Sequence, residues 1–551
     1  MAPGIETLPA DLVDLIAAGE VIDSLAAVVR ELAENALDAG ATRIGIALDL
    51  QRWRVRLADN GSGMALEDLE RAATAHSTSK IRARQDLWQI SSLGFRGEAL
   101  HSLAQLAQLE IASCPATSQE GWQARYDSQG QPLQLEPIAL APGTVVTADQ
   151  IFANWASRRQ GLPSPAQQLR AIQTTIYHLA LCHPQVTWQV QQQEREWFNL
   201  YAGKTVRQIL PQILRDVRLA DLQEWRQPEL ELALGLPDRC HRRRPDWVKI
   251  AVNGRVVQLP ELEQTIFTSF RRALPRDRFP VCFVHLQVPP AQIDWNRHPA
   301  KAEVYLHHLD TWRERLSAAI DQALRLSPLD LSDSLDSVRV GTLFKAAETV
   351  GGYLPQRQIN SDGASNLPSP GSASLKALAQ VHKRYILAEH PAGVWLIEQH
   401  IAHERVLYEQ LCDRWQLVPL EPGILLPRLN PAQVEQLQRL DLAIEPFGEE
   451  VWMVRTAPAL LAQRPDCAEA LLELSLGGDL QTAQVAVACR SAIRNGTTLT
   501  LSEMQTLLEQ WQQTRNPRTC PHGRPICLTL EESSLARYFR RHWVIGKSHG
   551  I

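Results

Sequence analysis

What most constrains this chain is a helix, a hairpin and a glycine turn that follow one another near its N-terminus. The run V-V-R-E-L-A-E-N-A-L from Val28 to Leu37 places apolar residues on one face, consists of good helix formers and stops at Asp38-Ala39-Gly40. Glu31 and Asn35, four residues apart, are neighbours on that helix. Ile44, Ile46 and Leu48 then alternate with small or polar positions, Trp53, Val55 and Leu57 do so again, and Asp59-Asn60-Gly61-Ser62-Gly63 follows as a turn. Taken singly, each part reads as an amphipathic helix or a simple chain reversal. Together they predict a hairpin that delivers a carboxylate to a glycine-rich loop.

The residue types suit nucleotide chemistry. A carboxylate at Glu31 can orient and deprotonate a water, while a neutral carboxamide oxygen at Asn35 can hold Mg²⁺ without competing for the proton. Asp59 can accept a hydrogen bond from an exocyclic base amine, and Gly61 and Gly63 let the backbone approach a flat ring. His76-Ser77-Thr78-Ser79-Lys80 and Gly94-Phe95-Arg96-Gly97-Glu98 supply hydroxyls, a cation, and glycine amides that can cradle anionic oxygens at a helix start. No G-x-x-x-x-G-K-[ST] occurs, so a triphosphate must be held otherwise than by a Walker loop.

At 551 residues the chain suits about three domains rather than one core. The boundaries read as 1–205, a strand-and-helix sandwich; 206–330, a second α/β unit; 331–374, a tether rich in Ser, Asp, Gly and Pro; and 375–551. In the second unit, strands are expected near Trp247 to Val252 and from Val281 to Val288, with the turn Asn253-Gly254-Arg255 between them. No stretch approaches about 18 uninterrupted apolar residues and no basic region leads into an apolar run, so the expectation is a cytoplasmic chain without a membrane span. A net charge of −5 leaves nucleic-acid contact to local basic clusters, namely Arg242-Arg243-Arg244, Arg271-Arg272 with Arg276 and Arg278, and Arg540-Arg541. Nine scattered cysteines do not read as a disulfide framework, and Cys182 and Cys282 are expected to be buried.

Cys489 and Cys520 differ from the other cysteines in their company. Gln380 to Leu387 and Val394 to Ile397 read as two strands, the second leading into Glu398-Gln399-His400 and on to Glu404 and Glu409. A helix starting near His400 puts His400 and Glu404 one turn apart, a pairing that suits Zn²⁺ or Mn²⁺, although such a pair alone is commonly a surface hydrogen bond. Ala488-Cys489-Arg490 and Cys520-Pro521-His522-Gly523-Arg524-Pro525 add thiolates and another imidazole, and Cys-x-His spacing lets both side chains reach one ion from a turn. Together these segments offer His400, Glu404, Cys489, Cys520 and His522 as candidate metal ligands.

In order, Ile16-Ala17-Ala18-Gly19-Glu20-Val21, Glu31 to Thr42, the Asp59 turn, Thr78-Ser79-Lys80-Ile81 and Gly94 to Leu100 closely resemble the DNA mismatch repair MutL family. That family belongs to the ATPase superfamily of gyrase B, the Hsp90 chaperones and the histidine kinases. The resemblance implies a multidomain α/β protein: an N-terminal α/β sandwich ATPase, a transducer domain with a ribosomal-protein-like fold, a flexible linker, and a C-terminal α/β dimerisation and metal-binding domain. It implies Glu31 as general base, Asn35 on Mg²⁺, Asp59 at adenine with Thr144 of Gly143-Thr144-Val145-Val146 nearby, and residues 76–80 and 94–98 as lid and phosphate loops. Lys301, within Asp294 to Val304, resembles the lysine that the transducer domain sends to the γ-phosphate.

The C-terminal segments resemble family members whose C-terminal domain nicks DNA, with the pattern D-Q-H-A, two residues, E, four residues, E. Here Glu398 replaces the aspartate and Ile401 the alanine. The resemblance implies a metal site of His400, Glu404, Cys489, Cys520 and His522, with Glu398 and Glu409 as catalytic or supporting groups. Two further departures stand at Ile151-Phe152-Ala153-Asn154-Trp155-Ala156-Ser157-Arg158, where the family reads L-F-Y-N-T-P-A-R, and at Ser24-Leu25, where many relatives carry Arg-Pro. Implied partners are a second copy of the chain, DNA without sequence preference and the mismatch recognition protein MutS. The segment Pro422-Gly423-Ile424-Leu425-Leu426-Pro427 resembles, without its leading glutamine, the motif that docks on the replication sliding clamp, and it reads equally as a plain buried strand with a proline end. Two functions remain open: an ATPase that also nicks DNA, and an ATP-gated matchmaker whose C-terminal metal is structural.

Overall fold

The computed structural model describes residues 9–78, 80, 92–94, 97–118, 120–294, 304–325, 375–448, 450–532 and 535. The chain forms two compact units, one of residues 1–233, 248–265 and 282–316, the other of 234–247, 266–281 and 317–551. The tether expected at 331–374 lies outside the described residues.

In the first unit the chain runs through α1 (Ala10–Val21), α2 (Leu25–Asp38), β1 (Arg43–Asp49), β2 (Arg54–Asp59), α3 (Leu66–Arg71), α4 (Ala99–Leu106), β3 (Gln108–Cys114), β4 (Gly121–Tyr126), β5 (Pro132–Ile138) and β6 (Gly143–Asp149). It continues through α5 (Ala156–Gly161), α6 (Pro165–Cys182), β7 (Thr187–Gln192) and β8 (Arg195–Leu200). The eight strands form one sheet in the order β5-β4-β3-β6-β2-β1-β7-β8, and β1 and β7 run parallel. The alternation read in the sequence is that of β1 and β2: Ile44, Ile46, Leu48, Val55 and Leu57 are buried, and Ile44 pairs with Asp59. Trp53 falls instead in the connecting turn, with φ of 56°.

Helix α2 begins three residues before the apolar run, because the Ser24 hydroxyl caps it by accepting the Ala27 amide at 3.2 Å. The serine that replaces the family's arginine thus has a local task. Val28, Val29, Leu32, Ala33 and Ala36 are buried, and the helix packs on α6 and β2. Glu34 lies among them at 1% exposure and is answered by Arg255, whose Nε donates to Glu34 Oε1 at 3.0 Å while Nη2 bonds Oε2. In the altered loop after β6, Trp155 stacks against Gly19, where a Cβ would come within 2.4 Å of its ring, and Arg158 donates to the Gly19 carbonyl at 2.7 Å.

The second sheet has five strands, in the order Arg255–Val257, Val248–Val252, Cys282–Leu286, Leu230–Gly235 and Leu222–Gln227. The strands predicted near 247–252 and 281–288 are its second and third members. Asn253-Gly254 forms the hairpin turn, with φ of 48° and 85°. Two histidines hold it: Gly254 N–H donates to His285 Nε2 at 2.9 Å, and the Gly254 carbonyl lies 3.2 Å from His183 Nε2. Burial holds both imidazoles below their ordinary pKa, His285 at about 4. The turn fixes where Arg255 points.

The C-terminal part of the second unit has a four-stranded sheet, ordered Lys376–Val381, Tyr385–His390, Gly393–Glu398 and Cys527–Glu531, and a three-stranded sheet of Leu417–Pro427, Val451–Pro458 and Ile444–Pro446. The single strand read from Gln380 to Leu387 is corrected to a hairpin, because His382 and Lys383 turn the chain with φ of 52° and 50°. Helix Gln399–Asp413 serves two cores: Ile401, Ala402 and Val406 join the one around Trp395 and Trp511, and Leu407, Tyr408 and Leu411 the other. All nine cysteines are free, Cys182 and Cys282 buried among them, and no helix among the described residues is long and apolar enough to cross a membrane.

The buried pair yields a stability prediction. Glu34→Ala strands the Arg255 charge and is expected to destabilise the first unit by about 3–5 kcal/mol, whereas the double variant Glu34→Leu/Arg255→Met should restore most of the loss. Urea unfolding of the four proteins checks it; a single variant as stable as the parent refutes the coupling.

Candidate nucleotide and metal sites

Helix α2 presents Glu31, Asn35 and Asp38 as a half-buried stripe at spacings of four and three. Arg30 stands 3.2 Å from Glu31 Oε1. The Lys80 ammonium donates to Asn35 Oδ1 at 3.0 Å and to Asp38 Oδ2 at 2.5 Å. Asp38 also receives two backbone amides, Leu93 N–H on Oδ1 at 2.9 Å and Gly94 N–H on Oδ2 at 3.0 Å. Arg255, besides holding Glu34, donates to the Leu93 carbonyl at 3.0 Å. A Cβ on Gly94 would stand 3.1 Å from Lys80 Nζ and 3.3 Å from Asn35 Oδ1, filling the approach to the carboxamide. A neutral oxygen, an ammonium and a residue without a side chain are a donor set and a clearance that fit Mg²⁺ and phosphate oxygens.

At the end of β2, Asp59 Oδ1 accepts the Gly61 amide at 2.8 Å. Burial raises the Asp59 pKa, and hydrogen bonds from the Gly61 and Thr144 backbones partly offset it. Thr144 stands opposite Asp59 in the β2–β6 register, and its hydroxyl is 3.0 Å from that of Ser113. Gly63 is obligatory: at φ 67° a Cβ there would lie 2.0 Å from the Cys114 carbonyl. Asn60 has a structural task, accepting the Thr42 and Arg43 amides at 2.9 and 2.8 Å. Thr78 accepts the Lys80 amide at 3.2 Å, Gly97 has φ of 66°, and Glu98 stands 3.7 Å from His76. Ser79, Phe95, Arg96 and Lys301 lie outside the described residues, as do Arg540 and Arg541.

In the C-terminal part, ligand atoms of Glu404, Cys520 and His522 lie within 4.8 Å of one another. Sheet pairing brings them together: Ile397 opposes Cys527 and the Glu398 amide donates to the Ile526 carbonyl at 2.9 Å, setting the 520–525 turn beside the start of helix Gln399–Asp413. The turn is closed by Cys520 N–H to the Arg524 carbonyl at 2.9 Å and Gly523 N–H to the Cys520 carbonyl at 2.8 Å, with Gly523 at φ 77°. Glu404 has no exposed surface, and its carboxylate is met by His522 Nδ1 at 2.8 Å and Arg524 Nη2 at 3.0 Å. Burial alone would raise the Glu404 pKa, but His522, Arg524 and His400 together lower it. Cys520 is likewise lowered, burial being outweighed by hydrogen bonds from His522 and Arg524. Cys489, on helix Leu480–Ser491, is not one of the three residues whose ligand atoms meet, and burial together with the nearby Glu404 charge raises its thiol pKa.

His400 stands outside this tight group. Its Nδ1 is 2.9 Å from the Ile493 carbonyl, which fixes that nitrogen as donor and leaves Nε2 as the basic one. Glu398 caps the helix, accepting the Ile401 amide at 2.7 Å. Glu409 is turned to another task, receiving the Arg515 and Asn516 amides at 2.6 and 3.1 Å. Gln399, fully buried, is tied to Gln380, Lys383, Arg494 and Thr497. Pro422 to Pro427 lies in strand Leu417–Pro427, where Leu425 is exposed.

Sequence reasoning passed over Asp38, Glu34, Arg255 and Arg524. Asp38 was readable as seven residues from Glu31 on the same stripe; the partners of Glu34 and Glu404 come from 221 and 120 residues away, which no local pattern carries.

Three family models match: a histidine kinase-, DNA gyrase B- and HSP90-like ATPase over residues 23–140, a DNA mismatch repair protein C-terminal domain over 215–325, and a MutL C-terminal dimerisation domain over 378–499. The DNA mismatch repair protein MutL of Nostoc punctiforme is 60% identical, with 100% of both chains covered. The chain belongs to the MutL family of DNA mismatch repair proteins. MutL of Rippkaea orientalis is also 60% identical over 100% of both chains, and MutL of Dichelobacter nodosus is 31% identical over 97% of this chain and 99% of its own. Among solved structures, the Aquifex aeolicus MutL ATPase domain complexed with ADP aligns over 54% of this chain and 98% of its own at 21% identity and a TM-score of 0.39. As a MutL family member the chain therefore carries an ATPase domain and a dimerisation domain.

The Glu404–His522 pair predicts a titration. Hydrogen bonds to Cys520 and Glu404 raise the His522 pKa from 6.5 to about 9. Because the folded-state value is raised, its stabilisation is complete below pH 6.5 and is lost as pH rises through about 9. Imidazole NMR on chelator-treated protein should give a midpoint near 9, and Glu404→Gln should move it towards 6.5. An ordinary midpoint in the parent protein disproves the pairing.

Proposed function

We propose that this chain is an ATP-dependent, homodimeric matchmaker in mismatch repair that couples recognition by MutS to strand incision, and that its C-terminal domain makes the incision by metal-dependent nicking. The observation that carries the second part is the convergence of the Cys520 thiol and the His522 imidazole on the buried Glu404 carboxylate. In this reading residues 1–205 bind ATP, 206–330 transduce, 331–374 tether, and 375–551 dimerise and hold the metal. The protein acts in the cytoplasm on DNA without sequence preference, and Pro422 to Pro427 is its docking segment for the sliding clamp.

The ATPase step follows from the stripe on α2. Glu31 orients a water and takes its proton, and Asn35 holds Mg²⁺ through Oδ1. Asp59 accepts from the adenine amine beside Thr144, while Thr78, Ser79, Lys80 and Gly94 to Glu98 cover the phosphates and Lys301 answers the γ-phosphate. Bound Mg²⁺ neutralises charge on the phosphates. In the C-terminal domain His400, Glu404, Cys489, Cys520 and His522 would hold Zn²⁺ or Mn²⁺, which would supply Lewis acidity at a DNA phosphate. His522 would serve as a ligand in its neutral form. Glu398 and Glu409 support this site rather than bind the ion.

One observation favours a second reading, a matchmaker that does not cut. The Glu398 carboxylate, standing where the family has aspartate, is engaged as a helix cap. In that reading the metal is structural.

Two experiments divide these claims. Glu31→Ala should bind ATP as the parent does but hydrolyse it about 10²–10⁴-fold more slowly; equal turnover removes Glu31 as base. With Mn²⁺, the parent should nick supercoiled plasmid and Glu404→Ala should not. No nicking by either protein selects the matchmaker reading, and equal nicking by both sinks the metal site.

A further inference from the structure

Lys80 occupies a position that the ATPase chemistry requires for something else. Its ammonium lies 3.0 Å from Asn35 Oδ1, the atom read above as the Mg²⁺ ligand, and 2.5 Å from Asp38 Oδ2. Lys80 and Asp38 are largely shielded, with side-chain exposures of 23% and 11%. The Asp38 carboxylate cannot follow a moving partner, because the Leu93 and Gly94 amides hold both of its oxygens. Gly94 keeps the carboxamide approachable, since a Cβ there would crowd both Lys80 Nζ and Asn35 Oδ1.

We propose that Lys80 is a resident cation on the metal-binding carboxamide, which a divalent metal arriving with nucleotide must displace, so that Lys80 sets how strongly metal promotes nucleotide binding. This rests on Asn35 being the metal ligand. A carboxamide oxygen has two lone pairs, but an ammonium and a doubly charged ion on the same oxygen in a shielded cleft repel strongly. The metal also holds its ligands near 2.1 Å in a strict octahedron, which leaves an ammonium at hydrogen-bond distance little room. The exchange involves no covalent change: one N–H···O contact breaks, one metal–oxygen contact forms, and the ammonium keeps its proton and stays on Asp38. Asp38 is thus the berth to which the displaced ammonium withdraws.

The readout is the dissociation constant of a fluorescent non-hydrolysable ATP analogue in EDTA divided by its value in excess Mg²⁺, measured on the full chain. For Lys80→Met and Lys80→Gln this ratio should rise about five- to tenfold over the parent, the size of one partly shielded charged contact, while Lys80→Arg should stay near the parent. In an Asn35→Ala background, adding Lys80→Met should no longer change the ratio. Two neutral variants guard against one failing to fold. An unchanged ratio with weaker binding in both buffers makes Lys80 a plain phosphate ligand and overturns the proposal. A parental ratio in Asn35→Ala alone removes Asn35 as the metal ligand, and the proposal with it.

Discussion

The N-terminal half is organised by the need to neutralise charge on one helix. Helix α2 must bury its apolar face against β2 and α6 to be stable, yet within four turns it carries Glu31, Glu34, Asn35 and Asp38. Each acidic group is answered by a cation: Arg30 at Glu31, Arg255 at Glu34, and Lys80 at Asp38. An unanswered carboxylate at the depth of Glu34 would take up a proton or unfold its surroundings. The Asn253-Gly254 turn thus supports the helix by sending Arg255 to Glu34. Since Arg255 also holds the Leu93 carbonyl and Asp38 holds the next two amides, residues 92–94 are fixed by the same charges that fix the helix.

The same constraint recurs around Glu404. A carboxylate without exposed surface must be matched by positive charge or by a metal, and here Arg524 hydrogen-bonds Oε2 while His522 Nδ1 stands 2.8 Å from Oε1. This is why one cluster is compatible with both readings of function. Cys489 and Cys520 are shifted in opposite directions: Cys520 is drawn towards thiolate by its donors, and Cys489 is kept as a thiol by burial and by the Glu404 charge.

What was legible in the sequence is what repeats at a short period. The spacing of Glu31 and Asn35, the alternation in β1 and β2, and the Gly61 and Gly63 turn all reflect neighbours within a few residues, and each stands as read except Trp53, which falls in the turn before β2. Of the five expected metal ligands, Glu404, Cys520 and His522 meet, and that meeting depends on strand pairing between Ile397 and Cys527 that no spacing reveals. The misreading at Gln380 to Leu387 has a local cause: His382 and Lys383 turn the chain with positive φ and without a glycine to mark it. The charge partners of Glu34 and Glu404 were illegible for the opposite reason, being purely tertiary.

The replacement of aspartate by Glu398 can be judged from its surroundings. Aspartate is among the best helix caps and glutamate is not, since its extra methylene carries the carboxylate past the nearest amide. Here Glu398 nevertheless accepts the Ile401 amide three residues on. The helix start does not depend on that contact alone, because Gln399 is clamped by four partners and the Glu398 amide itself is held in the sheet. With the backbone set by these bonds, the side chain at position 398 is relieved of fixing the helix. Its carboxylate can leave the cap for the cost of one charge-assisted hydrogen bond, about 1.5–3 kcal/mol, which is within what a nearby bound cation returns.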